Sequence, residues 1–217
     1  MMCFSHLCEY GKIVIDIKNS IFNLTKFNFR FSCCALTKIN LVYEILPEEL
    51  EKHQLLSNPK RKKEFEYVRF LRTLQIGKKA IRYDAIGKPN VKDKKIFISI
   101  SHSKNFVAFA HDTSPIGIDI EELSPRILKV WSRYLHPEEF AVFDTASIFD
   151  LTVAWTIKEA LFKLNTKTGI DFKNDLRIKS KEGNTFLCEM KAEDGFQTVK
   201  METCAYKNLI ISYNVNK

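Results

Sequence analysis

Strand-type and helix-type stretches come in blocks along this chain, and their order limits the architectures open to it. A β-rich run, KINLVYEI (38–45), leads into two helix signals and then into IFISIS (96–101) and FVAFAH (106–111). A turn at Ser114-Pro115 opens a second round. IGIDIE (116–121) is strand-like, two helical stretches follow, and LRIKS, TFLCEM, TVKMET and LIISYNV close the chain as β-type runs. Strand, helices, strands, twice over, reads as an α+β protein of two pseudo-symmetric halves meeting near Ser114. The repetition is architectural, with no residue-by-residue repeat.

The helix signals are specific. Pro47 suits a helix first turn, and Glu48 and Glu49 after it suit the positive end of the helix dipole. Asn58-Pro59 is a second N-cap and N1 pair, predicting a helix to near Gly77 whose Phe65, Val68, Leu71 and Leu74 form a buried face. His102–Asn105 is a short polar link, which predicts a hairpin between its flanking runs. Pro125 opens another helical stretch with Ile127, Leu128, Val130 and Trp131. A long helix is expected over about 148–164, carried by Leu151, Ala154, Trp155, Ile157 and Phe162. Residues 1–37 contain two possible strands, IVIDI and FNFRF, and read either as a β extension or as a leader before the domain. The organisation expected is therefore 1–37 as an extension, 38–115 as an N-terminal subdomain and 116–217 as a C-terminal one.

Composition narrows the partners without choosing among them. The 217 residues carry a formal charge of +8, from 34 Lys and Arg against 26 Asp and Glu. That favours acidic partners: nucleic acid, an anionic membrane surface, a phosphate-rich small molecule or an acidic protein. Seventeen Phe point to a core built from rings. The six cysteines lack zinc-site spacing and read as reduced, buried thiols. No apolar run approaches the ~18–20 residues of a membrane span. Glu9, Lys12 and Asp16 interrupt any signal-peptide core, so the cytoplasm is the expected compartment.

Three short motifs carry chemistry. Asp119 and Glu121 sit two apart on a strand, so their carboxylates share a face while Ile120 turns to the core. Two such oxygens side by side can hold a hard cation such as magnesium, which keeps several waters and completes its shell on substrate phosphates. An acid-x-acid strand end is also what an ordinary solvated edge contains. Glu159 and Lys163 share a helix face at i,i+4 spacing, which is equally the pattern of a surface salt bridge. SISHS (99–103) puts Ser101 and His102 at a strand end, where small polar groups can meet phosphate. GKP (87–89) offers Lys88 in a turn, and KRKK (60–63) starts a basic helix.

Each feature alone has a plain structural reading; the ordered set does not. A basic helix, then GKP, SISHS, GIDIE and WTIKEALFK, resembles the Sfp-type 4′-phosphopantetheinyl transferases across about residues 38–217. PRILKVWSRYLHPEEF (125–140) also resembles that family's helical segment. The resemblance implies a fold of two α/β subdomains with the active site at their junction. It implies transfer of the phosphopantetheine arm of coenzyme A to a serine of an acidic apo acyl or peptidyl carrier protein, releasing 3′,5′-ADP. Asp119, Glu121 and Glu159 would hold Mg²⁺ with the pyrophosphate, and Glu159 would act as base. Lys158 and Lys163 would balance charge there. Arg61, Arg69, Lys88, Ser101 and His102 would contact the nucleotide end.

The physical logic is consistent, since attack on a pyrophosphate needs neutralised oxygens, an oriented nucleophile and a stabilised leaving group. Asn90 departs from the family pattern, which often has an aromatic residue after GKP, and the register within 60–72 can slide. A monomer is expected, with no nucleic-acid or membrane partner. The competing readings are a basic nucleic-acid-binding protein, which lacks any RNP, zinc-finger or helix-turn-helix pattern, and a family member that binds coenzyme A without transfer.

Overall fold

The structure is a computed structural model that describes residues 12–16, 21–26, 29–36, 43–165 and 167–216. It divides into two compact units, Cys8–Ile116 and Gly117–Lys217. The mixed helix and sheet content is the α+β class expected from the sequence.

The first unit opens with strands β1 (Lys12–Asp16), β2 (Ile21–Lys26) and β3 (Phe29–Ala35). Helices α1 (Pro47–Leu55) and α2 (Pro59–Ile76) follow, then a two-stranded ribbon of β4 (Ile81–Tyr83) and β5 (Pro89–Val91). Strands β6 (Phe97–His102) and β7 (Phe106–Asp112) form the expected hairpin and complete an antiparallel sheet in the order β1-β2-β3-β7-β6. Most of the run at 38–45 lies outside the described residues, and Tyr43–Leu46 is not strand.

Asn58 starts α2 as its composition dictates: the side-chain oxygen accepts from the Lys60 and Arg61 amides, and Pro59 needs no donor there. The helix packs Tyr67, Val68 and Leu71 on Cys34, Ile98, Val107 and Phe109 of the sheet. Leu74, expected on that face, is 57% exposed. Each three-residue step turns a helix position back by about 60°, so the fourth member of the series has rotated off the face.

The second unit begins with β8 (Ile118–Glu122), and a helix α3 (Ile148–Leu164) packs against it. Strands β9 (Leu176–Glu182), β10 (Thr185–Ala192), β11 (Gly195–Tyr206) and β12 (Leu209–Asn214) then complete an antiparallel sheet ordered β8-β12-β11-β10-β9. Ser147 caps α3 by accepting from the Asp150 amide. Leu151, Ala154, Ile157 and Leu161 close the core against Ile178, Phe186, Met201 and Ile210.

The stretch from Pro125, expected as a helix, is three short 3₁₀ turns at Pro125–Lys129, Trp131–Arg133 and Pro137–Ala141. Pro137 has no amide proton to continue a helical ladder, and Ile127, Val130 and Trp131 are drawn down onto the core. Gly117 sits where strand and helix nearly touch. A Cβ there would run into the Ala160 carbonyl and come within 2.9 Å of the Leu164 amide. Cys33, Cys34, Cys188 and Cys204 are buried thiols outside any disulfide, and burial pushes the Cys34 thiol up to about 12. Cys3 and Cys8 lie outside the described residues. Among those residues no helix is long and apolar enough to cross a membrane.

Candidate active site

Strand alternation places Ile118 and Ile120 in the interior, each fully buried, and turns Asp119 and Glu121 to the face covered by α3. The register of β8 on β12 sets Asp119 opposite Ser212 and Glu121 opposite Ile210. Ser212 in turn shares a 2.7 Å hydroxyl bond with Thr156 of α3, which pins the helix over this corner of the sheet. Gly117 permits that approach, and Asn214 secures the strand start: its side-chain oxygen accepts from the Gly117 amide at 2.8 Å.

The outcome is a cluster of acids around one ammonium. Lys163 reaches from the last turn of α3 to Asp119 Oδ1 at 2.7 Å and to the Ile118 carbonyl at 3.0 Å. Glu159, one turn earlier, feels both Asp119 and Glu121. Burial first, and then the Asp119 charge, push the Glu159 carboxyl up to about 7, against the pull of Lys163. Burial and Asp119 likewise push Glu121 up to about 7. These groups resist ionising together, which makes the corner a site of unmet demand for positive charge.

Among the described residues no three His, Cys, Asp or Glu side chains converge into a ready-made metal cage. The donor chemistry nevertheless fits magnesium. Carboxylate oxygens are hard ligands, and this ion normally takes only one or two from protein, with water and phosphate supplying the rest. Asp119, Glu121 and Glu159 are the acids that would supply such oxygens, directly or through the ion's waters.

Residues 115–212 match the 4′-phosphopantetheinyl transferase superfamily. The matched segment is a little under half of the chain. It runs from the strand carrying Asp119 and Glu121 through α3 to the strand paired with them. The chain is also 29% identical over 157 residues to the 4′-phosphopantetheinyl transferase gsp of Aneurinibacillus migulanus, covering 58% of this chain and 65% of the relative. It is 37% identical over 94 residues to a 4′-phosphopantetheinyl transferase of Bacillus pumilus, covering 40% of this chain and 39% of the relative. With the 4′-phosphopantetheinyl transferase Sfp of Bacillus subtilis (strain 168) it shares 32% identity over 106 residues, 44% of this chain and 46% of the relative. The chain thus spans less than two thirds of each of these relatives.

One lysine and one arginine expected at phosphate have other work. Lys158 is completely buried, and its ammonium meets Glu139 Oε2 at 2.9 Å and the carbonyls of Tyr134 and Phe172 at 2.7 and 2.9 Å. Those three acceptors match its three protons, so none remains for a pyrophosphate. Arg69 is 1% exposed, donates to Glu49 at 3.2 Å and stacks on Phe65. It belongs to a buried Glu49–Arg69–Arg72 group that ties α1 to α2 and also takes the Ile81 amide. Expectation fails in both cases for the same reason: a motif gives a residue's position along the chain but not which side of the helix it faces.

The other candidates in the first unit are placed as follows. Arg61 contacts the His102 ring and bonds Glu64 at 3.0 Å, and Glu64 stands 3.6 Å from His102. His102 is exposed at the end of β6 whereas Ser101 beside it is buried. Lys88 is half-buried in its turn, where burial lowers its ammonium and Asp84 opposes that. Glu139, which positions Lys158, has no sequence signal because the two belong to distant segments, whereas the pairing of Glu64 with Arg61 follows an i,i+3 helix spacing and only its approach to His102 is long-range.

Proposed function

We propose that this protein transfers the 4′-phosphopantetheine arm of coenzyme A to a serine of an apo acyl or peptidyl carrier protein. The carrier serine oxygen forms a bond to the pantetheine-side phosphorus, the bridging P–O bond breaks, and 3′,5′-ADP leaves. The observation carrying this reading is the Asp119–Glu121–Glu159 cluster near Lys163, within the segment that matches the superfamily.

Each residue has a task in that reaction. Glu159, whose carboxyl burial and the Asp119 charge hold above its ordinary value in the metal-free chain, accepts the serine proton. Asp119, Glu121 and Glu159 would hold magnesium, directly or through its waters, and the ion would supply charge neutralisation on the phosphate oxygens. Lys163 stabilises the departing phosphate from its place beside Asp119. Arg61, Lys88 and His102 are proposed contacts for the nucleotide's phosphates and adenine side. The net charge of +8 suits both an anionic cofactor and an acidic carrier. A cytoplasmic monomer completes the proposal.

The test is labelling of a panel of apo carrier proteins with a fluorescent coenzyme A analogue, in magnesium and in EDTA. Magnesium-dependent labelling lost in Glu159→Ala supports the reading. A folded protein that labels no carrier opposes it, and salt-sensitive DNA binding would then favour a nucleic-acid role.

A further inference from the structure

The surroundings of Glu159 on α3 are not symmetric. Helical geometry turns about 100° per residue, which puts Lys163 about 40° to one side of Glu159. That side faces β8, where Lys163 bonds Asp119. On the other side lie Trp155 at about 40° and Phe162 at about 60°. Phe172 packs across both, stacked on Trp155 with ring centres 5.7 Å apart and tilted on Phe162 at 5.1 Å. Glu159 therefore stands beside a helix face whose two rings, Trp155 and Phe162, are covered by Phe172 from a turn outside the helix.

That turn is held rigid in two ways. Asp171 closes it by accepting from the Lys173 and Asn174 amides, while the Asp175 amide returns to the Asp171 carbonyl at 2.8 Å. Lys158 then grips the Phe172 carbonyl at 2.9 Å. Lys158 lies about 100° from Glu159, beyond the wall. Its own place is fixed by Glu139, which also takes the amides of His136 and Ile178 at 2.7 Å each. The Tyr134 ring, whose carbonyl meets the same ammonium, packs edge-on against Trp155 at 5.0 Å.

We propose that Lys158 and Glu139 are positioning residues that hold Phe172 as a wall beside Glu159. This rests on the transferase reading. A wall on that side confines the serine and coenzyme A arm to the approach between Glu159 and β8, and keeps water from the base. Lys158 acts through Phe172 and touches no phosphate. Loss of the wall should slow the transfer step without weakening coenzyme A binding.

The experiment uses the full chain with Trp131→Phe, which leaves Trp155 as the one tryptophan of the two. Lys158→Met, Glu139→Gln, the pair combined, Phe172→Ala and Phe172→Leu are compared. Emission and acrylamide quenching of Trp155 are read first. Lys158→Met and the combined variant should expose Trp155 as Phe172→Ala does, with Phe172→Leu close to the parent. Kinetics follow: kcat should fall at least tenfold in Phe172→Ala and Lys158→Met, with KM for coenzyme A within twofold and recovery in Phe172→Leu. Phe172 is half-buried and outside the ion pair, so its variants serve even if Lys158→Met does not fold. An unchanged Trp155 signal in folded Lys158→Met, or a tenfold rise in KM for coenzyme A there, overturns the proposal. A parent that transfers to no carrier defeats the transferase reading, while the Trp155 signal still decides whether Lys158 holds the wall.

Discussion

Lys163 Nζ lies 2.7 Å from Asp119 Oδ1, bridging the last turn of α3 to β8 rather than lying along its own helix toward Glu159. A pair of residues 44 positions apart thus ties the helix that carries Glu159 to the strand that carries Asp119 and Glu121. Lys163→Met removes the ammonium from among them. Transfer should fall by about 10²–10³-fold, the usual cost of losing one charge-stabilising donor. Rates measured with saturating coenzyme A and carrier check this.

Glu121 and Glu159 give stability a pH signature. Their folded carboxyls sit near 7, above the ordinary range, so the native state keeps protons that the unfolded chain loses near 4.5. Stability from these two groups is present at pH 4.5 and is lost as pH rises through about 7. Each should cost on the order of 1–2 kcal/mol by pH 8 after solvent screening. Urea midpoints for wild type and the Glu121→Gln/Glu159→Gln double variant should therefore diverge between pH 5 and 8, with the variant the more stable at pH 8.

Gly117→Ala tests how closely strand and helix must approach. The added methyl meets the backbone of Ala160 and Leu164, which cannot rotate away. A loss of about 2–4 kcal/mol is expected, typical of forced overpacking. Denaturant unfolding of the variant reads it directly.

Arg69 and Arg61 should behave in opposite ways. Arg69→Met leaves Glu49 and Arg72 in a broken buried group and should cost about 3–5 kcal/mol, with coenzyme A affinity of the folded protein unchanged. Arg61→Ala removes a side chain that is 57% exposed and should leave stability within about 0.5 kcal/mol. Its coenzyme A affinity should fall about tenfold, the scale of one charge-assisted contact. Calorimetric titration beside thermal melts separates the two.

Local signals make much of this fold legible in the amino-acid sequence. Asn58-Pro59 and the 148–164 periodicity mark their helices because caps and apolar stripes are local. The four closing strands are marked by β-type runs with turn signals between them. The acid-x-acid alternation also gives the shared face of Asp119 and Glu121. What sequence does not carry is rotation and long-range partnership. WTIKEALFK places Lys158 next to Glu159, but only the folded helix shows Lys158 turned into the core toward Glu139. Arg69 likewise lies in a basic helix, yet its partner Glu49 comes from the helix preceding it. The 3₁₀ turns after Pro125 escape because their apolar residues are spaced like a helix while Pro137 breaks the ladder.

The most direct test of the central claim is the mass of an apo carrier protein incubated with this protein and unlabelled coenzyme A. With magnesium, wild type should add one phosphopantetheine to a single serine and release an equal amount of 3′,5′-ADP, while EDTA or Glu159→Gln abolishes both. A carrier modified equally well by Glu159→Gln, or by wild type in EDTA, would contradict the assignment of the three acids to the reaction.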